Sequence, residues 1–252
     1  MGRVVTAPPP LSPLLRGYDR VLLDLDGCVW VGDAATRDAP RAVAALRAHG
    51  VRIAFVTNDP RASATEQAAK LAALGVDAAP EEVVTVGDAL ERHLRAGCRP
   101  GATAYVIGTA AIARHVADAG LRVLDGTAAA RRADVVVAAG HDRLSFDELR
   151  IATQALLAGA RLVAAGRDRT FPMPDGMWPG TGALVAALEY ASGVRAHAVG
   201  KPDPEIFATA LERLGPGRAL VVGDRLDVDL AGARAAGLDG AIVLTGATTR
   251  AQ

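Results

Sequence analysis

The stretch Val21–Gly27 reads V-L-L-D-L-D-G. Four of the residues from Val21 to Leu25 are apolar, the signature of a short strand buried on both faces of a parallel sheet. The run breaks at Asp24 and Asp26, and Gly27 is placed to turn the chain. A carboxylate at the end of a buried strand is costly unless something compensates it, and two at i and i+2 compound that cost. Taken alone, the stretch is also accounted for by a strand end with one solvated and one capping aspartate. The rest of the chain decides between these readings.

Working outward, strand and helix alternate. Asp38, with Pro40 behind it, is placed to cap a helix that ends at His49-Gly50. Arg52–Thr57 reads as a second buried strand and stops at the polar run Thr57-Asn58-Asp59. Ser63 to Glu66 is a capping box opening a helix that closes at Gly75. Val83–Val86 then reads as a strand and Asp88–Ala96 as a helix. This order predicts a parallel sheet with right-handed crossovers. Farther on, Thr103–Ile107, Leu121–Leu124, Ala133–Ala139 and Arg161–Ala165 read as strands without polar ends. Helices are expected at Ala110–Ala119 and Phe146–Ala158, the second behind a Ser145/Glu148 capping box, and residues 167–180 read as an irregular stretch before a helix at Thr181–Ser192. The first pattern then returns. Ala196–Val199 and Ala219–Val222 run into Gly200-Lys201 and Gly223-Asp224, and a last strand, Ala241–Leu244, ends at Thr245-Gly246.

Polar strand ends therefore fall into two groups, and in open α/β sheets sites form at the carboxyl ends of strands. Asp24, Asp26, Thr57, Lys201 and Asp224 are expected at one sheet edge. The fold class is α/β: a Rossmann-like parallel-sheet core over residues 1–97 and 195–252, with a smaller α/β domain inserted over 98–194.

Composition narrows the function. Of 252 residues, Lys+Arg and Asp+Glu number 28 each, so nothing favours nucleic acid or an acidic membrane surface. Only Cys28 and Cys98 are present, which does not support a disulfide framework and suits a reducing compartment. No apolar run approaches the roughly 18–20 residues of a membrane span. Met1–Arg20 holds three consecutive prolines and no signal-peptide core, although Met1-Gly2 with Thr6 formally fits a short, degenerate myristoylation pattern. A cytoplasmic protein with a loose N-terminal lead-in is expected. Its oligomeric state is left open, a homodimer included.

Three carboxylates (Asp24, Asp26, Asp224) within about 4–6 Å would repel by a few kcal/mol per pair at an effective dielectric near 20. They stay ionised together only around a cation, and oxygen ligands select a hard ion such as Mg2+. Lys201 adds an ammonium and Thr57 a hydroxyl donor. This set suits a phosphoryl group: one carboxylate attacks phosphorus, and a second, two residues on, protonates the leaving oxygen and later deprotonates water.

At these residues the chain resembles a known family. D-L-D-G at 24–27, V-T-N at 56–58, V-G-K-P at 199–202 and V-G-D-R-L-D-V-D at 222–229 resemble the four motifs of the haloacid dehalogenase (HAD) superfamily. The place of the insertion, with G-H-D-R-L-S-F at 140–146, P-G-T-G-A-L-V-A-A-L-E at 179–189 and L-T-G-A-T at 244–248, is similar to the subfamily with a C2-type cap, which holds NagD-like and 4-nitrophenylphosphatase-like enzymes. The resemblance implies a phosphatase of small phosphorylated metabolites. Asp24 would be the nucleophile and Asp26 the general acid/base, which also lends the metal its backbone carbonyl. Thr57 and Asn58 would serve motif II, Lys201 motif III, Asp224 the metal, and Asp229 an outer shell. Cys28 departs from the usual Val or Thr and reads as a small buried residue. In the expected cap, Arg167, Asp168, Arg169, Phe171, Met173 and Trp178 are the candidates to line the substrate side, while a solvated loop is the plainer reading of the same stretch. His141 and Arg143 read equally as structural or substrate-contacting. His49, His93 and His115 read as surface or helix-end residues and His197 as structural.

Other functions fit less well. A dehalogenase needs neither a metal nor Asp26, and a phosphonatase would bring a lysine from its cap, whereas Lys70 and Lys201 are the only lysines. A receiver-like phospho-acceptor lacks an acid two residues past its aspartate, and a silent binding protein would not need all four motifs.

Overall fold

The computed structural model describes residues 10–141, 143–173 and 175–251. The Met1-Gly2/Thr6 pattern and most of the expected lead-in lie outside these residues, as does Asp142 of the 140–146 motif. In chain order the elements are β1 (Arg20–Asp24), β2 (Trp30–Val31), β3 (Ala34–Ala35), α1 (Ala39–Ala48), β4 (Arg52–Thr57), α2 (Ala64–Ala73) and β5 (Val83–Thr85). They continue with α3 (Val86–Gly97), β6 (Thr103–Ile107), α4 (Ala110–Asp118), β7 (Arg122–Leu124), β8 (Val135–Ala138), α5 (Phe146–Leu157) and β9 (Arg161–Ala164). Last come β10 (Thr170–Met173), β11 (Gly176–Pro179), α6 (Thr181–Ser192), β12 (His197–Ala198), α7 (Glu205–Leu214), β13 (Ala219–Gly223), α8 (Ala231–Ala235) and β14 (Asp239–Ile242). They form two compact units. One runs to Thr57, includes Ala64–Val83 and resumes at Ala210; the other comprises Asn58–Ser63 and Val84–Thr209.

The first unit holds a sheet of order β14-β13-β1-β4-β5. β1 lies in the middle, parallel to β13 and β4, with Leu23 beside Val222 and Asp24 beside Val56. Its near-continuous apolar run is what burial on both faces requires, and Val21, Leu25, Trp30, Ile53, Phe55 and Leu71 are packed in one core. At the amino ends of the strands, the Arg20 guanidinium donates to the Gly215 and Gly217 carbonyls, and Arg52 donates to those of Leu214 and Pro216. Asp38 does precede α1, but at φ 63° its side chain accepts no capping bond. It pairs with Arg41 at 2.9 Å instead.

The second unit carries an all-parallel sheet of order β12-β9-β8-β6-β7. The Ser145/Glu148 capping box opens α5 as expected, and a Thr85/Asp88 box opens α3 two residues before the expected start. Two expectations are corrected here. β12 was expected beside the strands that carry Asp24 and Asp224, yet it pairs with β9, His197 facing Val163. An apolar run marks a strand as buried without naming its neighbour. Residues 170–179, expected as irregular, form the antiparallel ribbon β10–β11, with Phe171 opposite Trp178. In a two-stranded ribbon both strands are edges, where Pro172 and Pro179 leave no central ladder bond unmade.

Asp134 ties β6 to the segment entering β8. The Thr103 backbone N–H and hydroxyl each donate to its Oδ2 at 2.7 Å, and Arg99 approaches at 3.0 Å. The Thr103 donors, the backbone one first, hold its carboxyl down at about 2 from an ordinary 3.8. A carboxyl lowered on folding stabilises above its unfolded pKa and loses that contribution as pH falls toward the folded value. The melting temperature is therefore expected to drop between about pH 4 and pH 2, and Asp134→Asn to flatten that limb. An unchanged acid limb in thermal melts of the variant would remove Asp134 as its source.

Among the described residues, no helix is long and apolar enough to cross a membrane.

Candidate active site

In the first unit the site begins where β1 stops. Asp24 is buried at the last position of the strand, and Leu25 behind it is fully buried. The Leu25 carbonyl then accepts the N–H groups of Cys28, Val29 and Trp30, which folds the chain back sharply. Gly27 makes this turn at φ +80°, and a Cβ there would lie 2.3 Å from Asp224 Oδ2. Only glycine fits. Asp26 is exposed at the head of the turn, and the Trp30 indole N–H donates to its Oδ1 at 2.8 Å. Thr57 is buried at the end of β4, one residue past the partner of Asp24.

Asp224 follows β13 and is buried. Its Oδ2 accepts the Ala247 N–H at 2.6 Å, and its main-chain carbonyl accepts the Thr248 N–H at 3.1 Å. A Cβ on Gly246 would fall 2.0 Å from the same Oδ2. Thr245 Oγ1 donates to the Gly27 carbonyl at 2.6 Å, so the 245–248 segment and the Gly27 turn grip Asp224 between them. Asp229, also buried, accepts the Arg225 N–H at 3.1 Å and packs so closely on Gly223 that a Cβ there would meet its own at 2.1 Å.

Asp24, Asp224 and Cys28 each offer a ligand atom within 4.8 Å of the other two, all from buried side chains. Two buried carboxylates at that range repel by about 3 kcal/mol at an effective dielectric of 20. A cation between them reverses the sign of this term. The two carboxylates thus fit a hard divalent ion. The Cys28 sulfur belongs to the group, which its plain reading as a small buried residue did not anticipate.

In the second unit Asn58 and Lys201 meet. Asn58 Oδ1 accepts the Lys201 N–H at 2.9 Å, and its Nδ2 donates to the Lys201 carbonyl at 2.9 Å, copying one rung of a β-ladder. Asn58 Nδ2 also donates to Asp168 Oδ2 at 3.2 Å. Gly200 has no space for a side chain, since a Cβ would sit 2.2 Å from the Ala165 carbonyl. Lys201 itself is 3% exposed, and a lysine so deep is almost never left without partners.

The residues expected to line the substrate side are distributed unevenly. Arg167 is engaged with Glu189 at 2.9 Å and with the Ala196 carbonyl at 2.7 Å. Arg169 is exposed, and its carbonyl closes the base of the ribbon on the Gly180 N–H. Phe171 and Trp178 are half-buried with ring centroids 6.4 Å apart, and the Arg61 guanidinium lies 5.2 Å over the Phe171 ring. Met173 faces Gly176 across the ribbon. His141 bonds Glu148 at 2.7 Å and accepts the Arg143 N–H at 3.2 Å, which fixes the start of α5.

Comparison with known proteins gives the family. A family model of haloacid dehalogenase-like hydrolases matches residues 21–122, and a HAD-hydrolase-like model matches 198–252. The D-glycerol 3-phosphate phosphatase of Mycobacterium tuberculosis is 40% identical over 236 residues, covering 94% of this chain and 65% of that protein. The chain thus spans somewhat under two thirds of that relative's length. The glycerol-3-phosphate phosphatase of Gallus gallus is 35% identical over 257 residues, covering 94% of this chain and 82% of that protein. A crystal structure of the M. tuberculosis glycerol phosphate phosphatase in complex with magnesium matches with a TM-score of 0.86 over 92% of this chain and 69% of that chain. With motifs, fold and relatives all in agreement, the chain belongs to the haloacid dehalogenase-like hydrolase family.

Proposed function

We propose that this protein hydrolyses small phosphomonoesters through an aspartyl-phosphate on Asp24, with Mg2+ as its cation. The observation that carries this reading is the buried Asp24–Asp224 pair, set by two glycine contacts that admit no side chain. The relatives named as glycerol phosphate phosphatases support glycerol 3-phosphate as the first substrate to try, ahead of sugar phosphates, phosphoglycolate and nucleoside monophosphates. Cys28 and Cys98, which form no disulfide, suit a cytoplasmic setting.

In this reading an Asp24 oxygen attacks phosphorus as the bond to the leaving oxygen breaks, and Asp26 gives that oxygen its proton. Asp26 then takes a proton from the water that cleaves the acyl phosphate and frees Asp24. Asp24, Asp224 and the Asp26 main-chain carbonyl would hold the cation, which supplies positive charge against the phosphoryl oxygens. Thr57 adds its hydroxyl to the same oxygens, and Lys201 is the ammonium that the third motif supplies. Asn58 fixes the Lys201 main chain, and Asp229 holds the turn after Asp224. Residues 98–194 act as the substrate-selecting insertion, with Arg169 at the base of its ribbon and Phe171, Met173 and Trp178 on it.

Phosphate release from a metabolite panel, with Mg2+ and then with EDTA, tests the reading. Turnover that needs the cation is expected. No release from any member at millimolar Mg2+ overturns it and leaves a binding protein of the same fold. Asp26→Asn is expected to slow alkyl phosphates by about 10²–10⁴-fold and aryl phosphates far less, because general-acid help matters most for poor leaving groups. Equal losses would take the proton transfer away from Asp26. Phe171→Ala and Trp178→Ala are expected to change kcat/KM unequally across the panel, with little effect on acetyl phosphate. A uniform loss would give the ribbon a folding role alone.

A further inference from the structure

Helix α3, strand β12 and the first residue of α7 bring three side chains of the second unit together. The His93 and His197 rings stack with centroids 4.4 Å apart and planes at 12°. Both face Glu205: His93 Nδ1 lies 2.9 and 3.0 Å from its two oxygens, and His197 Nε2 lies 2.7 Å from Oε1. The three groups offer ligand atoms within 4.8 Å of one another.

We propose that His93, His197 and Glu205 form a binding site for a transition-metal dication of the Zn2+ class. Two imidazole nitrogens with one carboxylate oxygen favour Zn2+, Co2+ or Ni2+, whereas Mg2+ prefers the all-oxygen donors of carboxylates, carbonyls and water. Bonds of about 2.0–2.1 Å in a tetrahedral site place ligand atoms roughly 3.3 Å apart. The nitrogen–oxygen distances of 2.7 to 3.0 Å are therefore those of a closed form that needs to open only slightly.

Metals bind the neutral form of imidazole. Each neutral ring binds through the nitrogen that faces Glu205 and keeps its proton on the other ring nitrogen. Ordinary histidine–glutamate pairing does not explain the cluster. His115 with Glu91 and His141 with Glu148 are single pairs, and among the described residues only Glu205 receives two imidazoles. The His197 side chain is 48% exposed, which gives an ion an entry path and leaves a coordination position for water.

The position has a consequence for the loop between the ligands. His197 and Glu205 stand four residues on either side of Lys201, so an ion held there ties that loop at both ends to α3. The binding claim does not depend on the phosphatase reading.

The test titrates Zn2+ and Co2+ into the full chain in millimolar Mg2+, which occupies the carboxylate site. Bound metal is measured by equilibrium dialysis, and Co2+ by its visible absorption. One equivalent of Co2+ with the intense bands of a four-coordinate site is expected in wild type and in Asp224→Asn. His93→Gln and His197→Gln are each expected to weaken binding at least tenfold and to abolish the saturable rise in Tm with Zn2+. His197 is half-exposed, so His197→Gln serves even where His93→Gln fails to fold. Undiminished binding in a folded histidine variant, binding lost in Asp224→Asn, or no binding below millimolar metal would overturn the site.

Discussion

Asp24→Asn is expected to lower kcat at least about a thousandfold, the equivalent of about 4 kcal/mol in the barrier, with the fold intact. The amide has nearly the shape of the carboxylate, so the end of β1 and its turn have no reason to move. It lacks the negative oxygen that the proposed attack on phosphorus needs, and no other residue in the described site takes that place at the strand end. The turn behind Asp24 is built on the Leu25 carbonyl and on Gly27, which carry no nucleophile. A variant retaining more than about a thousandth of the rate would mean that an activated water attacks directly. Circular dichroism and single-turnover phosphate release decide the matter together.

Asp224→Asn is expected to lose two Mg2+ responses at once: turnover, and the rise of Tm with Mg2+ concentration. An ion that binds only the folded chain stabilises it by about 2.7 kcal/mol at a hundredfold excess over Kd. Asparagine keeps an oxygen for the Ala247 N–H, so the grip of the 245–248 segment survives while one charge is removed. Asp224→Ala removes both and is the harsher comparison. If Mg2+ shifted the Asp224→Asn melt with an unaltered concentration dependence, the cation would bind elsewhere in the protein.

What the sequence could show follows from how local each signal is. Asp24, Thr57 and Asp224 were legible because each ends an apolar run, and buried strands cannot carry such groups without cause. The helix behind the Ser145/Glu148 capping box was legible in the same local way, whereas the Thr85/Asp88 box was not read and α3 was placed two residues late. The partner of β12 was not, since pairing with β9 depends on a register 34 residues away that no pattern within β12 encodes. The β10–β11 ribbon was hidden by its prolines, which signal a break and are yet harmless at an edge. Helix α7 followed the Lys201 motif and was not assigned. The imidazole pair was the least legible, because His93 and His197 sit on separate elements and each looks ordinary by itself.

The arginine clasp at the amino ends of β1 and β4 has a consequence for synthesis on the ribosome. Arg20 reaches carbonyls 195 and 197 residues downstream, and Arg52 reaches others 162 and 164 downstream. β1 cannot acquire its β13 neighbour until that late segment has emerged. The second unit, by contrast, is complete once residue 209 is out. The unit encoded in the middle of the chain is thus the first that can finish folding, while the opening strands wait with an unpaired edge of the kind that invites wrong partners. For a nascent chain of this protein, the span between residues 57 and 219 is the window in which a chaperone has most to protect.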